Sequence, residues 1–250
     1  SVSLFFYRSS WPIIKDIAEV DFDATIANDY FYLEQETLLS SVFSSIQNKT
    51  IGWLSNVPLN KLTQMDTATE VGLKVPDYLL TTSSDSVQAY FNSKPIVVKA
   101  IQENIYEASS SEFLYQRVTK IQVKDLPSIF QLSFFQEYIE KEIEIRCFYL
   151  DGFCYSIGSV CDKKLIDHRD SYNEEHHFRI ELPSDINSKI QKFMNRMGLI
   201  AGSIDLVVAE SGEIYFLEVN TQGQYDALSY FGSYILEKKI AEFCLEKEQL

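Results

Sequence analysis

Three features of the pattern predict an α+β fold built from two or three small lobes. A strand, helix, strand succession occupies residues 59 to 100. Alternating strands follow between 134 and 160, and an amphipathic helix then leads into a closing strand hairpin and a last helix. With 250 residues, 46% hydrophobic and 14% aromatic, the chain can bury a core in each lobe. The expected division is an amino-terminal lobe over 1–58, a central lobe over 59–133 and a carboxy-terminal lobe over 134–250. The chain begins with Ser rather than Met, so the first lobe is expected to be short or truncated.

Taken in order, Ser1 to Arg8 is an apolar run that reads as a strand, and Glu34 to Ile46 carries helical periodicity. Ile51 to Pro58 reads as a strand and turn. Asn60-Lys61-Leu62 opens a helix with Leu62, Met65, Ala68 and Thr69 on one face, stopped by Gly72. Leu79 to Thr81 is a strand, Asp85 to Phe91 a short helix, and Pro95 to Ala100 an apolar strand that reaches Lys99 near its end. From Phe134 to Ile139 the chain is again a strand. Glu142 to Tyr149 alternates charged and apolar residues, and Asp151-Gly152 folds it back onto Phe153 to Val160. A charged loop is expected to about Glu181, then a helix from Ile186 to Met197. Strands at Gly202 to Val208 and Ile214 to Val219 flank a Glu210-Ser211-Gly212-Glu213 turn, and Tyr234 to Glu248 forms the closing helix.

Lys and Arg number 22 against 36 Asp and Glu, a net charge of −14, which argues against a nucleic-acid surface because phosphate-backbone binding needs a basic face. A nucleotide needs only a few cations inside a cleft. No apolar stretch approaches a membrane span, and Ser1 to Trp11 lacks a signal-peptide layout, so a cytoplasmic protein is expected. Cys147, Cys154 and Cys161 lack metal-ligand spacing and read as reduced structural thiols; His168, His176 and His177 read as solvated loop residues.

The closing hairpin carries the strongest chemical signal. Asp205 lies in one apolar strand, and Glu218 and Asn220 share a face of the next. Pairing through the 210–213 turn brings Asp205 opposite Glu218 or within one pair of it. Three oxygen donors then converge as a candidate Mg²⁺ site, since this hard cation prefers carboxylate and amide oxygens with phosphates. The plainer alternative is an edge hairpin whose polar residues face water. Acids between Ile204, Leu206, Phe216 and Leu217 are costly unless paired, which favours the metal.

Ser203-Ile204-Asp205-Leu206 and Phe216-Leu217-Glu218-Val219-Asn220-Thr221-Gln222-Gly223-Gln224 resemble the carboxy-terminal metal motif of the ATP-grasp enzymes. Within them the chain looks most like the graspetide peptide maturases, the microviridin-type ligases and their grasp-with-spasm relatives. Asn60-Lys61, Gly72 to Pro76, Val97-Val98-Lys99, Phe135-Gln136-Glu137-Tyr138-Ile139, Glu144-Ile145-Arg146 and Asp167-His168-Arg169 follow in family order. The Tyr234 to Ala241 segment leans toward the grasp-with-spasm group. The resemblance covers roughly residues 51 to 250 and implies an ATP-grasp fold, two α+β lobes clasping ATP.

It also implies roles. Lys61 and Lys99 would lie over the ATP phosphates. Gln136, Glu137, Tyr138 and Ile139 would form the hinge strand whose backbone, around Glu137 and Ile139, reads adenine, and Glu144 would contact ribose. Arg146, two residues on and facing the same way, would neutralise phosphate or bind a substrate carboxylate. Arg179 would meet the transferring phosphoryl group, and Asp167 and Arg169 would handle an acidic core peptide. Alone, Lys61 reads as a helix-start surface lysine, Glu144 and Arg146 as a surface pair, and Asp167 and Arg169 as a solvated loop pair. Two departures stand out: Thr221 follows Asn220 where these families commonly have proline, and no glycine-rich loop follows Lys99, leaving Ser109 to Ser111 as its substitute.

The implied activity uses ATP and Mg²⁺ to join Asp or Glu side chains of a precursor peptide to its Ser, Thr or Lys side chains as ester or amide crosslinks. The peptide partner would carry a leader plus an acidic core, with neither nucleic acid nor membrane involved, and a homodimer is left open. A glutamate-adding amino-acid or peptide ligase and a nucleotide-dependent peptide-binding protein without turnover are the alternatives.

Overall fold

In the computed structural model, residues 5–6, 33–45 except 36, 39 and 43, 50–51, 59–99, 101, 105–109, 112–115, 119–160, 177–221 and 223–248 are described, and two antiparallel sheets carry the fold. Before them, β1 (Phe5–Phe6) pairs in parallel with β2 (Thr50–Ile51), and the residues described between 33 and 45 are helical, as their periodicity predicts. Most of the expected strand at 1–8 and of the strand and turn at 51–58 lies outside the described residues.

Helix α1 (Lys61–Glu70) starts where Asn60 caps it, the Asn60 Oδ1 accepting from Leu62 N at 2.8 Å. It stops at Gly72, whose φ of 83° takes the left-handed conformation that closes a helix while Leu73 N returns to Ala68 O. Strand β3 (Tyr78–Ser83), α2 (Ser84–Phe91) and β4 (Ile96–Lys99) follow as expected. Beyond Lys99 come two strands the sequence did not signal, β5 (Ile105–Ser109) and β6 (Glu112–Tyr115), paired as a separate hairpin. Strand β7 (Thr119–Ile121) and β8 (Ile129–Glu137) then complete a four-stranded sheet in the order β3-β8-β4-β7. Val87 and Phe91 of α2 bury against Ile96 and Phe135 of this sheet. Residues 134–137, assigned to the third lobe on sequence, are thus the end of β8 in this sheet. The chain passes to the second sheet only over 138–140, because Gln136 and Glu137 still pair with Val97 and Ile96.

The second sheet is built by β9 (Lys141–Leu150), β10 (Phe153–Val160), β11 (His177–Ile180), β12 (Ala201–Ala209) and β13 (Ile214–Asn220), in the order β11-β10-β9-β12-β13. Strand β11 falls inside the expected charged loop. Its central Arg179 hides any alternation, and long-range pairing with β10, Ser156 to Ile180 through Ser159 to His177, makes it a strand. Helix α3 (Ser184–Arg196) presents Ile186, Ile190, Phe193 and Met194 at helical spacing. They cover one face of the sheet, where with Met65 and Ala68 of α1 they enclose Ile145, Cys147, Ile204, Leu206, Phe216 and Val219.

Among the described residues, two helices cover one end of the opposite face. Helices α4 (Asp226–Phe231) and α5 (Leu236–Glu248) place Leu228, Leu236 and Ile240 against Phe148, Leu150 and Ile157. The closing helix therefore begins at Leu236 rather than Tyr234, since Ser233 and Ile235 hold φ of 50° and 51° and break helical geometry between them. Cys147 and Cys154 are free thiols, as expected, while Cys161, His168 and His176 lie outside the described residues. Among the described residues no helix is long and apolar enough to cross a membrane.

Phe193 is fully buried and touches Phe216 at 4.8 Å between ring centroids, at the centre of the packing between α3 and the sheet. Phe193→Ala is expected to lower unfolding free energy by about 3–5 kcal/mol, read from the shift of the urea midpoint.

Candidate functional site

The same face carries a row of charged side chains. Antiparallel register sets Arg146 of β9 opposite Asp205 of β12, and Asp205 opposite Glu218 of β13. On the other side Arg146 faces Ile157 of β10, which faces Arg179 of β11. Directly opposed residues point to the same face, so Arg179, Arg146, Asp205 and Glu218 lie in one transverse row. The expected opposition of Asp205 and Glu218 is therefore observed. The register slips after this pair, Leu206 facing Phe216, so that Leu217 is the extra residue of a bulge. The bulge lets Phe216 and Val219 both reach the core while Glu218 points away from it.

Each carboxylate meets a cation. Arg146 Nη2 donates to Asp205 Oδ2 at 3.4 Å, and its Nε lies 3.0 Å from Oδ1 without hydrogen-bond alignment. Lys61 Nζ, from the first turn of α1, lies 3.2 Å from Glu218 Oε2, and its side chain is only 16% exposed, so the pair is better shielded than a surface ion pair. Burial would raise the Glu218 carboxyl, yet the charges of Lys61, Lys99 and Arg146 outweigh it and hold the group below its ordinary pKa.

Lys99 reaches the same spot from the other sheet. Its withdrawal from water, with the like charges of Lys61 and Lys141 added, lowers its pKa to about 8, while Glu218 and Asp205 act against that fall. Lys61 and Lys99 thus both act on Glu218 at the end of the row. Lys141, unmarked by the sequence reading, forms an ion pair with Glu144 on the face of Arg146. Among the described residues here, Lys61, Lys99, Lys141 and Arg146 outnumber Glu144, Asp205 and Glu218, in a chain of net charge −14.

Asn220 lies two residues beyond Glu218, opposite Ser203. The segment after it is held without proline: Gly223 N donates to Asn220 O at 3.2 Å, and Ser203 Oγ donates to Gln224 O at 2.9 Å. Among the described residues no three Asp, Glu, His or Cys side chains gather as a metal-holding group. Two carboxylates and an amide are hard oxygen donors, and they fit Mg²⁺ where phosphate oxygens and water complete its six positions.

Gln64 was missed by the sequence reading. It is buried on α1, where its Oε1 accepts from Val219 N at 2.9 Å and its Nε2 donates to Leu59 O at 3.0 Å. This ties α1 to the outer strand between Glu218 and Asn220 and so sets Lys61 over Glu218. A glutamine on a face with Met65 and Ala68 is the signal by which it could have been found.

The expected hinge segment is divided. Gln136 is buried, its Nε2 directed to Met65 Sδ at 3.9 Å. Glu137 pairs with Lys94 at 3.1 Å, and the Tyr138 ring lies under Lys120 Nζ at 3.5 Å. Glu137 N donates to Asp77 O and Tyr138 N to Pro95 O, each at 2.8 Å, so those two N–H groups hold the four-stranded sheet to its flanks. Arg179 is exposed, with its guanidinium carbon 4.4 Å from the Tyr234 ring centroid. Asp167 and Arg169 lie outside the described residues.

In a sample with labelled lysine Nζ, one ammonium is expected to titrate near pH 8 and to vanish from the spectrum in Lys99→Met. Glu218→Gln should move that titration lower, because the carboxylate supports the Lys99 charge; an upward shift contradicts the geometry.

No protein-family model matches the sequence, and no curated protein matches it. Solved structures do. The macrocyclase MdnB from Microcystis aeruginosa MRC superposes with a TM-score of 0.73 at 23% identity, covering 96% of this chain and 76% of its own. A RiPP-associated ATP-grasp ligase of Chryseobacterium gregarium, in complex with ADP and a leader and core peptide, gives 0.69 at 20% identity over 89% of this chain and 70% of its own. The ATP-grasp ligase PsnB, complexed with a phosphomimetic variant of a minimal precursor, Mg and ADP, gives 0.69 at 18% identity over 97% and 78%. At these identities the likeness is one of architecture, and it shows that this chain has the ATP-grasp fold.

Proposed function

We propose that this chain is an ADP-forming ligase that activates Asp or Glu side chains of a ribosomally made precursor peptide and closes them onto Ser or Thr hydroxyls or Lys amines of the same peptide. The observation that carries the reading is the row Arg146, Asp205, Glu218 with Lys61 and Lys99 brought over it from two other elements. The peptide and nucleotide complexes of the similar ligases support the choice of substrates.

The γ-phosphoryl group of ATP passes to the carboxylate, giving an acyl phosphate and ADP. The hydroxyl or amine then attacks the acyl carbon, phosphate leaves, and an ester or amide remains. Such chemistry is mostly positioning and charge neutralisation. Lys61 and Lys99 hold phosphate oxygens as point charges. Arg146 sits between them and the acyl end, and Arg179 stabilises the charge that grows on the transferring group. Asp205, Glu218 and Asn220 hold Mg²⁺, which when bound offsets negative charge on the phosphate oxygens. Since the N–H groups of Glu137 and Tyr138 are already donated, the adenine edge is assigned to the Ile139 N–H and the Glu137 carbonyl. Glu144, held by Lys141, is assigned to the ribose. The leader of the precursor supplies affinity that a small core cannot.

With ATP, Mg²⁺ and a peptide carrying a leader and a core rich in Thr or Ser and Asp or Glu, the product is expected to lose one water per crosslink by mass spectrometry. A gain of glutamate mass supports the glutamate-adding alternative instead. Asp205→Asn should reduce ADP formation about 100-fold or more. Absence of peptide-dependent ADP formation by the unaltered chain sinks the proposal.

Affinity for Mg–ATP is expected to fall as pH rises through about 8, where Lys99 loses its proton, and to be flatter over that range in Lys99→Met. That variant should bind roughly 10- to 100-fold more weakly at neutral pH, the worth of a charged hydrogen bond. Calorimetric titration across the range checks both statements.

A further inference from the structure

The connection between α4 and α5 departs from ordinary backbone geometry around a single aromatic residue. Ser233 and Ile235, on either side of Tyr234, hold φ of 50° and 51°, and a β-branched residue seldom takes that conformation. A Cβ on Gly232 would meet Tyr234 Cε2 at 2.3 Å, so the ring lies against the preceding backbone where only glycine fits. Strain of this sort persists where surrounding contacts impose it.

Those contacts are present at both ends of the ring. The Tyr234 hydroxyl donates to Ser156 O at 2.8 Å and accepts from Ser156 N at 3.2 Å, which fastens it to the backbone of β10. Tyr155 meets the ring edge-on at 5.4 Å. Across the ring face lies the Arg179 guanidinium, at 4.4 Å. Ser156 precedes Ile157, the residue that separates Arg179 from Arg146 in the charged row, so the tyrosine is anchored beside the row itself.

We propose that Tyr234 is a positioning residue for Arg179, its ring holding the guanidinium at the outer end of the row in the pose that meets the transferring phosphoryl group. An exposed arginine without that platform samples many rotamers, and holding it beforehand removes the entropy lost on engaging phosphate. The strained turn 232–235 sets the height and tilt of the ring. The inference rests on the nucleotide reading given under Proposed function.

Binding of Mg–AMPPNP and Mg–ADP, measured by calorimetry on the full chain, separates the two. Tyr234→Met keeps core volume without an aromatic face and is expected to weaken Mg–AMPPNP about 5- to 10-fold, the size of a cation–π contact. Mg–ADP, which lacks the γ-phosphate, should change by less than about twofold, and Tyr234→Phe should retain the preference for Mg–AMPPNP. Arg179→Gln is expected to produce the same loss, with the double variant no weaker than Arg179→Gln alone.

The positioning role is overturned if Tyr234→Met weakens both nucleotides equally, if the two losses add, or if Arg179→Gln loses Mg–AMPPNP while Tyr234→Met keeps it. If the unaltered chain binds no Mg–AMPPNP, or Arg179→Gln binds it undiminished, the nucleotide reading of Arg179 fails first and this proposal with it. Circular dichroism reports whether each variant folds. Should Tyr234→Met not fold, Tyr234→Phe carries the test, and its loss of the Mg–AMPPNP preference overturns the proposal.

Discussion

The pairing register of β9, β12 and β13 is the constraint on which the site depends. Side chains in a sheet alternate faces with a period of two, so a slip of one residue in either pairing would send Asp205 into the core beside Phe193 and leave Ile204 on the charged face. The apolar face under α3 fixes that register far more strongly than the charges could. Burial of Ile145, Ile204, Leu206, Phe216 and Val219 therefore decides, on the reverse side of the sheet, that Arg146, Asp205 and Glu218 stand in line.

The bulge at Leu217 and the side chain of Gln64 are two consequences of the same arrangement. Strand β13 lies at the edge of its sheet, where outward N–H groups lack a strand partner. Lys74 O takes the Phe216 N–H at 2.8 Å and Gln64 Oε1 takes that of Val219 at 2.9 Å. The edge is closed by the segment that carries Lys61, so satisfying buried backbone groups also delivers a cation to Glu218.

Electrostatics at the site run opposite to those of the whole chain. A net charge of −14 favours solubility and repels anions at long range, yet cations from α1, β4 and β9 are gathered at one place. Gathering them has a cost that Lys99 displays: its pKa falls to about 8 because water is removed and like charges stand near. A bound polyphosphate would relieve that cost, and the cluster is held by α1 and two sheets rather than by its own attractions.

The order of the strand and helix segments, and the three oxygen donors Asp205, Glu218 and Asn220 on facing strands, were legible in the sequence by itself. They depend on local periodicity and on a four-residue turn, which act over short distances. Strand β11 and the place where the chain leaves the first sheet were not legible, because pairing between distant segments settles them, while the hairpin of β5 and β6 and the short helix α4 carry no periodicity that marks them. Within the site, Lys141, Gln64 and Tyr234 gained their places the same way. Gln64 lies 155 residues from the amide it holds, and no sequence period spans that separation. Residue order alone settles which chemical groups exist and which face of its own element each takes; only tertiary packing, driven by burial of the apolar faces, decides which of them meet.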